Sequence, residues 1–472
     1  MKRLRYAVIV AACVGLVAAI LPRLVHASPK PNIVMFMLDD SELESVQQMP
    51  NLMALAGTGI SLDKFYVTES SCCPSRTSFL TGEYVHHHHV TTSNENKGSG
   101  GYGTFLKRGL EKKTIALALH RRGYQTGLFG KYLNGYGPQS HTEHHVPPGW
   151  TRWFARFEPS YYDFNASNQG HLVHFGHRAK DYSTYVVGRE AEAWIRHRHK
   201  PFFAYIAVSA PHSPYTTPPN HRPGHATDPS VHKPSFNQAP VGKPRYVHQY
   251  APLTASQVAG INKRYNDRVA MQLAADDVLG KIVSELRGLG QLSNTYIFVT
   301  SDNGWMHGEH RITADKLVPY EESVHMPMFV TGPGITAGSH SSDLTSMVDL
   351  YATFDAIAGG DELRDGRSML PIFSGGSNGR RQDLIENLST NPRRPLNSKS
   401  KGPPDYFGLV DGQYKYVHYF TGEQELYDLS ADPYETTNLV SSDPAVVSSL
   451  RTKLNALEHC GGSSCRTADS AP

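Results

Sequence analysis

Apolar runs that stop at carboxylates mark out the chain's framework. NIVMFMLDD (Asn32 to Asp40) and TYIFVTSDNG (Thr295 to Gly304) each stay hydrophobic almost to an acidic end. A run without alternation predicts a strand covered on both faces, as in parallel sheets. QTGLFGK, which delivers Lys131 to its end, and PFFAYIAVSAPHSPY, which ends near His212, predict two more. Helical stretches lie between them. TIALALHRRGY has Thr114 as a cap and Gly123 as a stop, and a long helical pattern runs from about Thr254 to Leu286. Strands alternating with helices predict an α/β fold whose large, mostly parallel sheet is sandwiched by helices. Chemistry in such sheets collects beyond the carboxyl ends of the strands.

The pattern fails between Pro211 and Tyr250, a stretch rich in Pro and His with little periodicity. Connections of that length are either functional or disordered, and a substrate-shaping lid is expected here. After about Gly375 the residues turn to Gly, Asn, Arg and Ser, which predicts a boundary. Beyond it, DYFGLVDGQYKYVHYF reads as a hairpin around Asp411-Gly412, ELYDLSADPYETTNL as a strand and turn, and DPAVVSSLRTKLNALEHC as a terminal helix. The expected organisation is an export signal over 1–27, a catalytic domain over 28–375 and a C-terminal subdomain of antiparallel sheet plus helix over 376–472.

The signal is read from a basic MKRLR, the apolar YAVIVAACVGLVAAIL and a small-residue cleavage site at Val25-His26-Ala27. Its apolar core is shorter than the roughly 18 residues a membrane span requires. A secreted or periplasmic protein without stable membrane insertion is expected; an uncleaved anchor is the alternative. The 472 residues are 39% hydrophobic and 19% charged, which excludes a disordered chain. A net charge of +3 with 25 histidines suits an anionic ligand but is too small for a nucleic-acid binder. Without the signal, four cysteines remain. Cys460 and Cys465 enclose a Gly/Ser loop able to close a disulfide in an oxidising compartment. Cys72 and Cys73 are left, and a strained vicinal disulfide is the bland reading of that pair.

Asp39, Asp40, Asp302 and Asn303 bring four oxygen-bearing side chains to the ends of two apolar strands. Three carboxylates crowded together repel one another, and a hard divalent cation with oxygen ligands relieves that repulsion. Calcium or magnesium is expected. Zinc is not favoured, because the cluster offers neither a thiolate pair nor His-x-x-x-His. Taken singly, each acidic pair also reads as a helix cap or turn.

The motif CCPSRTSFLTG, from Cys72 to Gly82, resembles the sulfatase signature Cys-x-Pro-Ser-Arg-x-x-x-Leu-Thr-Gly at every fixed position. NIVMFMLDD, FGKYLNGY, APHSPY, FVTSDNG, DKLVPYEESVHMPMFVTGPGI and ELYDLSADPYETTNL look like landmarks of the same family in the same order. CCPSR, HHHHV and GKYLNGY together most resemble the N-acetylglucosamine-6-sulfatase and heparan endosulfatase branch, with its bacterial arylsulfatase relatives. The resemblance implies an alkaline-phosphatase-like fold and calcium as the cation, with magnesium as the alternative. It also implies that a formylglycine-generating enzyme oxidises Cys72 to an aldehyde that hydrates to a gem-diol. One hydroxyl attacks sulfur and displaces the alcohol; the other expels sulfate by reforming the aldehyde, so one difficult step becomes two. Metal ligands implied are Asp39, Asp40, Cys72, Asp302 and Asn303. Arg76, expected on the first turn of a helix that Pro74 helps start, would hold the formylglycine hydroxyl. Lys131 and Lys316 match the lysines that grip the sulfate oxygens, and His212 matches the histidine that protonates the leaving oxygen.

One position departs from many family members, which have a histidine two residues after the lysine of the Gly-Lys motif; this chain has Leu133. That leaves the base of the elimination step open. His88 and His310 are candidates for it or for substrate contact, with a structural role weighing equally, and the His86 to His89 run is expected on the active-site rim. The function expected is hydrolysis of a sulfated saccharide or aryl sulfate. A phosphodiester or phosphonate monoester hydrolase of similar architecture is the alternative. A non-catalytic glycan-binding protein with an unmodified Cys72 is the reading from another class.

Overall fold

The computed structural model describes residues 30–94, 100–157, 159–313, 315–388 and 402–472. The proposed signal lies outside them. Fifteen strands are formed by the described residues, in chain order β1 (Asn32–Leu38), β2 (Ile60–Tyr66), β3 (Gln125–Lys131), β4 (Arg152–Arg156), β5 (Phe164–Asn168), β6 (His171–Phe175), β7 (Phe202–Ala207), β8 (Thr295–Ser301), β9 (His325–Met326), β10 (Met328–Thr331), β11 (Ser339–Ser346), β12 (Asp383–Asn387), β13 (Tyr406–Val410), β14 (Tyr414–Tyr419) and β15 (Gln424–Asp428).

The large sheet has the order β11-β2-β10-β8-β1-β7-β3-β4-β5-β6, with β9 beside β2. Its middle, β8-β1-β7-β3-β4, is parallel throughout. β10 runs antiparallel against β8, and β5 and β6 form an antiparallel flank. All seven residues of β1 are buried, as its unbroken apolar run requires. Successive side chains point to opposite faces: Ile33, Met35 and Met37 join one core, and Val34, Phe36 and Leu38 the other. The first core is covered by helices including Cys72–Thr81, Ile115–Arg121 and Asp349–Ile357, the second by Pro50–Ala56, Ser183–Arg196 and Ala255–Gly288. That last helix starts at a capping box in which Thr254 and Gln257 exchange hydrogen bonds.

Strands β12 to β15 form a separate antiparallel sheet. Leu384, Leu409, Tyr416 and Leu426 pack with Leu450, Leu454 and Leu457 of the helix Pro444–Leu457. Ile385, Tyr406, Val417 and Tyr427 enter the main core instead. The small sheet is therefore wedged between the terminal helix and the larger body. Cys460 and Cys465 are joined by a disulfide, and no disulfide joins Cys72 to Cys73. None of the described helices is long and apolar enough to cross a membrane.

The segment 211–250 carries no long helix or strand. It runs as a strap tied at its middle and toward its far end: Lys233 pairs with Glu44 (2.7 Å) and Glu322 (3.1 Å), while Lys243 reaches Tyr427 (2.7 Å) in the small sheet.

Candidate active site

Register places the site. β1 pairs with β8 so that Leu38 lies opposite Ser301, and the residues that follow, Asp39-Asp40 and Asp302-Asn303, leave the sheet side by side. Lys131 is the last residue of β3, and β7, which separates β3 from β1, leads to His212. Four neighbouring parallel strands thus send their carboxyl ends to one edge. The helix Cys72–Thr81 faces that edge with its N-terminus, which favours anions.

That helix begins at Cys72, so Arg76 stands one turn in rather than on the first turn. Pro74 still fits, because the first four N–H groups of a helix lack partners within it. Gly82 stops the helix at φ +68°, and a Cβ there would meet the Tyr351 side chain at 2.8 Å. Only glycine suits both demands.

The Cys72 thiol donates to Asp39 Oδ1 at 3.4 Å, and Lys316 Nζ donates to Cys72 Sγ at 3.0 Å. Lys316 also pairs with Asp40 and lies 3.5 Å from Asn303 Oδ1. Lys131 Nζ lies 2.5 Å from Asp39 Oδ2. Arg76 is fully buried: its Nε donates to Asp302 Oδ2 (2.7 Å), and its Nη1 to Tyr205 Oη (3.1 Å) and the Lys131 carbonyl (3.2 Å). Asn303 Nδ2 donates to Asp40 Oδ1 (2.6 Å), and the Asp40 amide to Asp302 Oδ1 (3.2 Å). His212 Nδ1 is bonded to the Ser213 carbonyl (2.5 Å), which turns Nε2 toward Asp40 Oδ2 at 3.7 Å.

Burial raises carboxyl pKa values, but here the cations win. Lys131, His212 and Arg76 hold Asp39 at about 2, and Lys316 with His212 keeps Asp40 low. The same burial, only partly opposed by Lys131 and Lys316, pushes the Cys72 thiol up to about 12. Unmodified, this cysteine stays a neutral thiol, the opposite of an activated thiolate nucleophile.

Asp39, Asp40, Cys72 and His212 each present one ligand atom, all within 4.8 Å of one another. Asp302 and Asn303 adjoin the cluster through their bonds to Asp40, and the oxygens of these four side chains are hard donors of the kind calcium or magnesium takes. Lys316 Nζ, itself a cation, already touches Asp40, Cys72 and Asn303.

Two expected histidines are not brought into this cluster. His88 is fully buried, bonded to Ser78 Oγ (3.1 Å) and to the Val90 amide (3.0 Å). His310 is buried against Tyr320, 4.2 Å between ring centres, and burial beside Lys243, Lys415 and Lys233 keeps it neutral. The expectation that the run His86 to His89 lines the active-site rim fails for His86 and His87. His86 bonds Glu386 (2.7 Å) and the Cys460 carbonyl (2.8 Å), and His87 bonds Asp365 (2.9 Å). His86 thereby locks the chain just past the Cys72 helix to the small sheet and its terminal loop, and His87 ties it to the loop that carries Asp365. Tyr205, by contrast, touches Arg76 and was masked in the sequence by its place in an unbroken buried strand.

Carboxylates, lysines and a helix N-terminus thus gather beyond the carboxyl ends of parallel strands, where sheets of this class carry their chemistry. The chain matches the Sulfatase family over residues 31–360, and a model described as N-sulphoglucosamine sulphohydrolase, C-terminal, over residues 308–459. It is 33% identical to human N-acetylglucosamine-6-sulfatase across 93% of this chain and 86% of that protein. It is 28% identical to the arylsulfatase of Chlamydomonas reinhardtii across 97% of this chain and 79% of that protein. Among solved structures it resembles an enzyme in complex with its substrate D-glucosamine-2-N,6-O-disulfate (TM-score 0.70, 22% identity, 91% of this chain and 97% of that one). It also resembles the phosphonate monoester hydrolase of Agrobacterium radiobacter (TM-score 0.70, 22% identity, 91% and 96% covered). The chain belongs to the sulfatase family and is a sulfuric ester hydrolase.

Proposed function

We propose that this protein, exported to an oxidising compartment, releases sulfate from a saccharide of the glucosamine-6-sulfate type or from an aryl sulfate, with Cys72 converted to formylglycine beside a divalent cation, probed first as calcium. The observation that carries the reading is the setting of Cys72: a buried thiol held neutral, yet ringed by Asp39, Lys316 and Lys131, is wrongly tuned for thiolate chemistry and well placed for an oxygen nucleophile.

In this reading Asp39, Asp40, Asp302 and Asn303 hold the cation together with the modified residue 72. The cation, when bound, supplies Lewis-acid stabilisation of negative oxygen. Residue 72, as a gem-diol, attacks sulfur through one hydroxyl, and the S–O bond to the alcohol breaks. The departing oxygen takes a proton from Nε2 of His212, which the Nδ1 bond to Ser213 aims at the cluster. Lys131 and Lys316 neutralise the sulfate oxygens; donors aimed at developing charge are commonly worth about 100- to 1000-fold in rate. The second hydroxyl of residue 72 then gives its proton to His212 Nε2, left unprotonated by the first step, and forms the carbonyl as sulfate leaves; water rehydrates the aldehyde.

The named substrates of the human relative and of the glucosamine-disulfate complex support a sugar ester. The phosphonate monoester hydrolase likeness favours a second reading in which the same site takes phosphonate esters. Mass spectrometry of the peptide spanning Cys72 tests the nucleophile, with an aldehyde expected and an intact thiol in fully active protein overturning it. Rates on aryl sulfate against aryl phosphonate test the ester, and faster phosphonate turnover would replace the first reading with the second.

A further inference from the structure

Asp40 has φ +65°, a left-handed backbone that residues other than glycine seldom adopt. The twist lets its amide reach Asp302 Oδ1 and turns its carbonyl away from the cluster into the protein interior. A buried carbonyl needs a donor. Arg268, fully buried on the helix Ala255–Gly288, donates through Nη2 to that carbonyl and also to the Glu42 carboxylate. Glu42 Oε1 lies 3.4 Å from His307 Nε2, and His307 Nδ1 lies 2.6 Å from Asp228 Oδ2. Asp228 belongs to the strap. The line Arg268, Glu42, His307, Asp228 alternates in charge: burial works against the His307 cation, but Glu42 and Asp228 raise its pKa to about 9. Every member is almost wholly buried.

We infer that Arg268 is a positioning residue: it holds the Asp40 peptide in its left-handed setting and, through Glu42 and His307, makes that setting depend on Asp228 of the strap. The inference rests on the reading of Asp40 as a cation ligand. Partners of this kind, which orient a ligand without touching the ion, typically govern metal affinity by about 10- to 100-fold. Arg268 reaches Asp40 through its main chain, so the Asp40 carboxylate stays available to the ion.

The test uses full-length protein stripped by chelator, with calcium as the probe, read by titration calorimetry and by kcat and KM on an aryl sulfate. Arg268→Gln should weaken calcium binding by about 10-fold or more and lower kcat with KM little changed, and Arg268→Lys should recover part of both. Asp228→Asn, on the strap, should shift calcium binding in the same direction by a smaller factor. An Arg268→Gln protein that melts like wild type in chelator yet binds calcium and turns over like wild type would overturn the inference. Should Arg268→Gln fail to fold, an Asp228→Asn protein with unchanged calcium affinity overturns it instead. Wild-type protein that binds neither calcium nor magnesium would sink the cation reading and this inference together. A wild-type protein that binds calcium tightly, with variants indistinguishable from it, sinks this inference alone.

Discussion

Two buried ionic clusters in this protein treat their carboxylates in opposite ways. At the strand ends, burial works against ionisation of Asp39 and Asp40, yet Lys131, Lys316, Arg76 and His212 keep both ionised. Where the small sheet meets the larger body, Arg380 sits among Asp349, Asp383 (3.1 Å) and Asp469 (3.1 Å), all fully buried, and there burial prevails, so Asp383 rises to about 7. Glu435, beside Lys415 (2.8 Å), is likewise raised by burial to about 7. The strand-end cluster also opens outward: the side chains of Lys131, Lys316 and His212 are 15%, 17% and 24% exposed, against 0% for Arg380. Burying charge therefore does not by itself mark a catalytic site. The site differs in keeping its acids ionised at a surface a ligand can reach, whereas the joint between the sheets quiets its surplus acid with protons.

The sharpest way to break this contrast is Cys72→Ala, expected to cut turnover by more than about a thousandfold while the melting temperature stays near wild type. Substantial residual activity would remove Cys72 from the chemistry. Lys316→Met should lower kcat by roughly 100-fold or more and leave the protein folded; a near-normal rate would show that this lysine does not act on the ester. At the joint the effects should reverse. Arg380→Met strands three buried aspartates and should cost about 3–5 kcal/mol of stability, with turnover per folded molecule unchanged, as denaturant unfolding beside active-site titration would reveal.

The pH dependence of stability separates the two clusters further. Asp383 and Glu435 bind a proton more tightly when folded, so between about pH 4 and 7 the folded state holds more protons and stability falls as pH rises. For His86, burial opposes the charge but Glu386 raises the pKa to about 9, so its contribution is complete below its unfolded pKa of about 6.5 and is lost through about 9. Asp39 acts at the other end: its contribution is present above its usual value and disappears as pH falls toward about 2. Melting temperature should peak in mildly acidic solution and decline toward pH 9. Asp383→Asn should flatten the decline between pH 5 and 7, and an unaltered slope would count against the buried proton. Smallest is the Cys460–Cys465 bond. It closes a loop of sequence separation 5, so Cys465→Ala should cost only about 2 kcal/mol, measured as a shift in denaturation midpoint with activity retained.

Much of the framework could be read directly from residue order. β1, β7 and β8 appear as largely apolar runs because strands covered on both faces need no polar side. Thr114 and Thr254 cap helices as their side chains predict. The hairpin β5–β6 was illegible, since FNASN and HLVHF carry no clear apolar face and β6 stands at the edge of the sheet. β10 and β11 were missed for a different reason: β11 pairs with β2 about 280 residues earlier, and such pairing leaves no local trace. The histidine run misled because four titratable rings beside a signature motif read as a rim, when their carboxylate partners lie far along the chain.

By itself the sequence determined the alternation of strands and helices, the cysteine motif and the acidic strand ends, all of which depend on neighbours within a few residues. Only the tertiary structure decided that β1 lies in register with β8, that Arg268 donates to the Asp40 carbonyl, and that His86 reaches the small sheet. Those outcomes depend on which groups are buried together, and burial sets both the need for a partner and the charge each group carries.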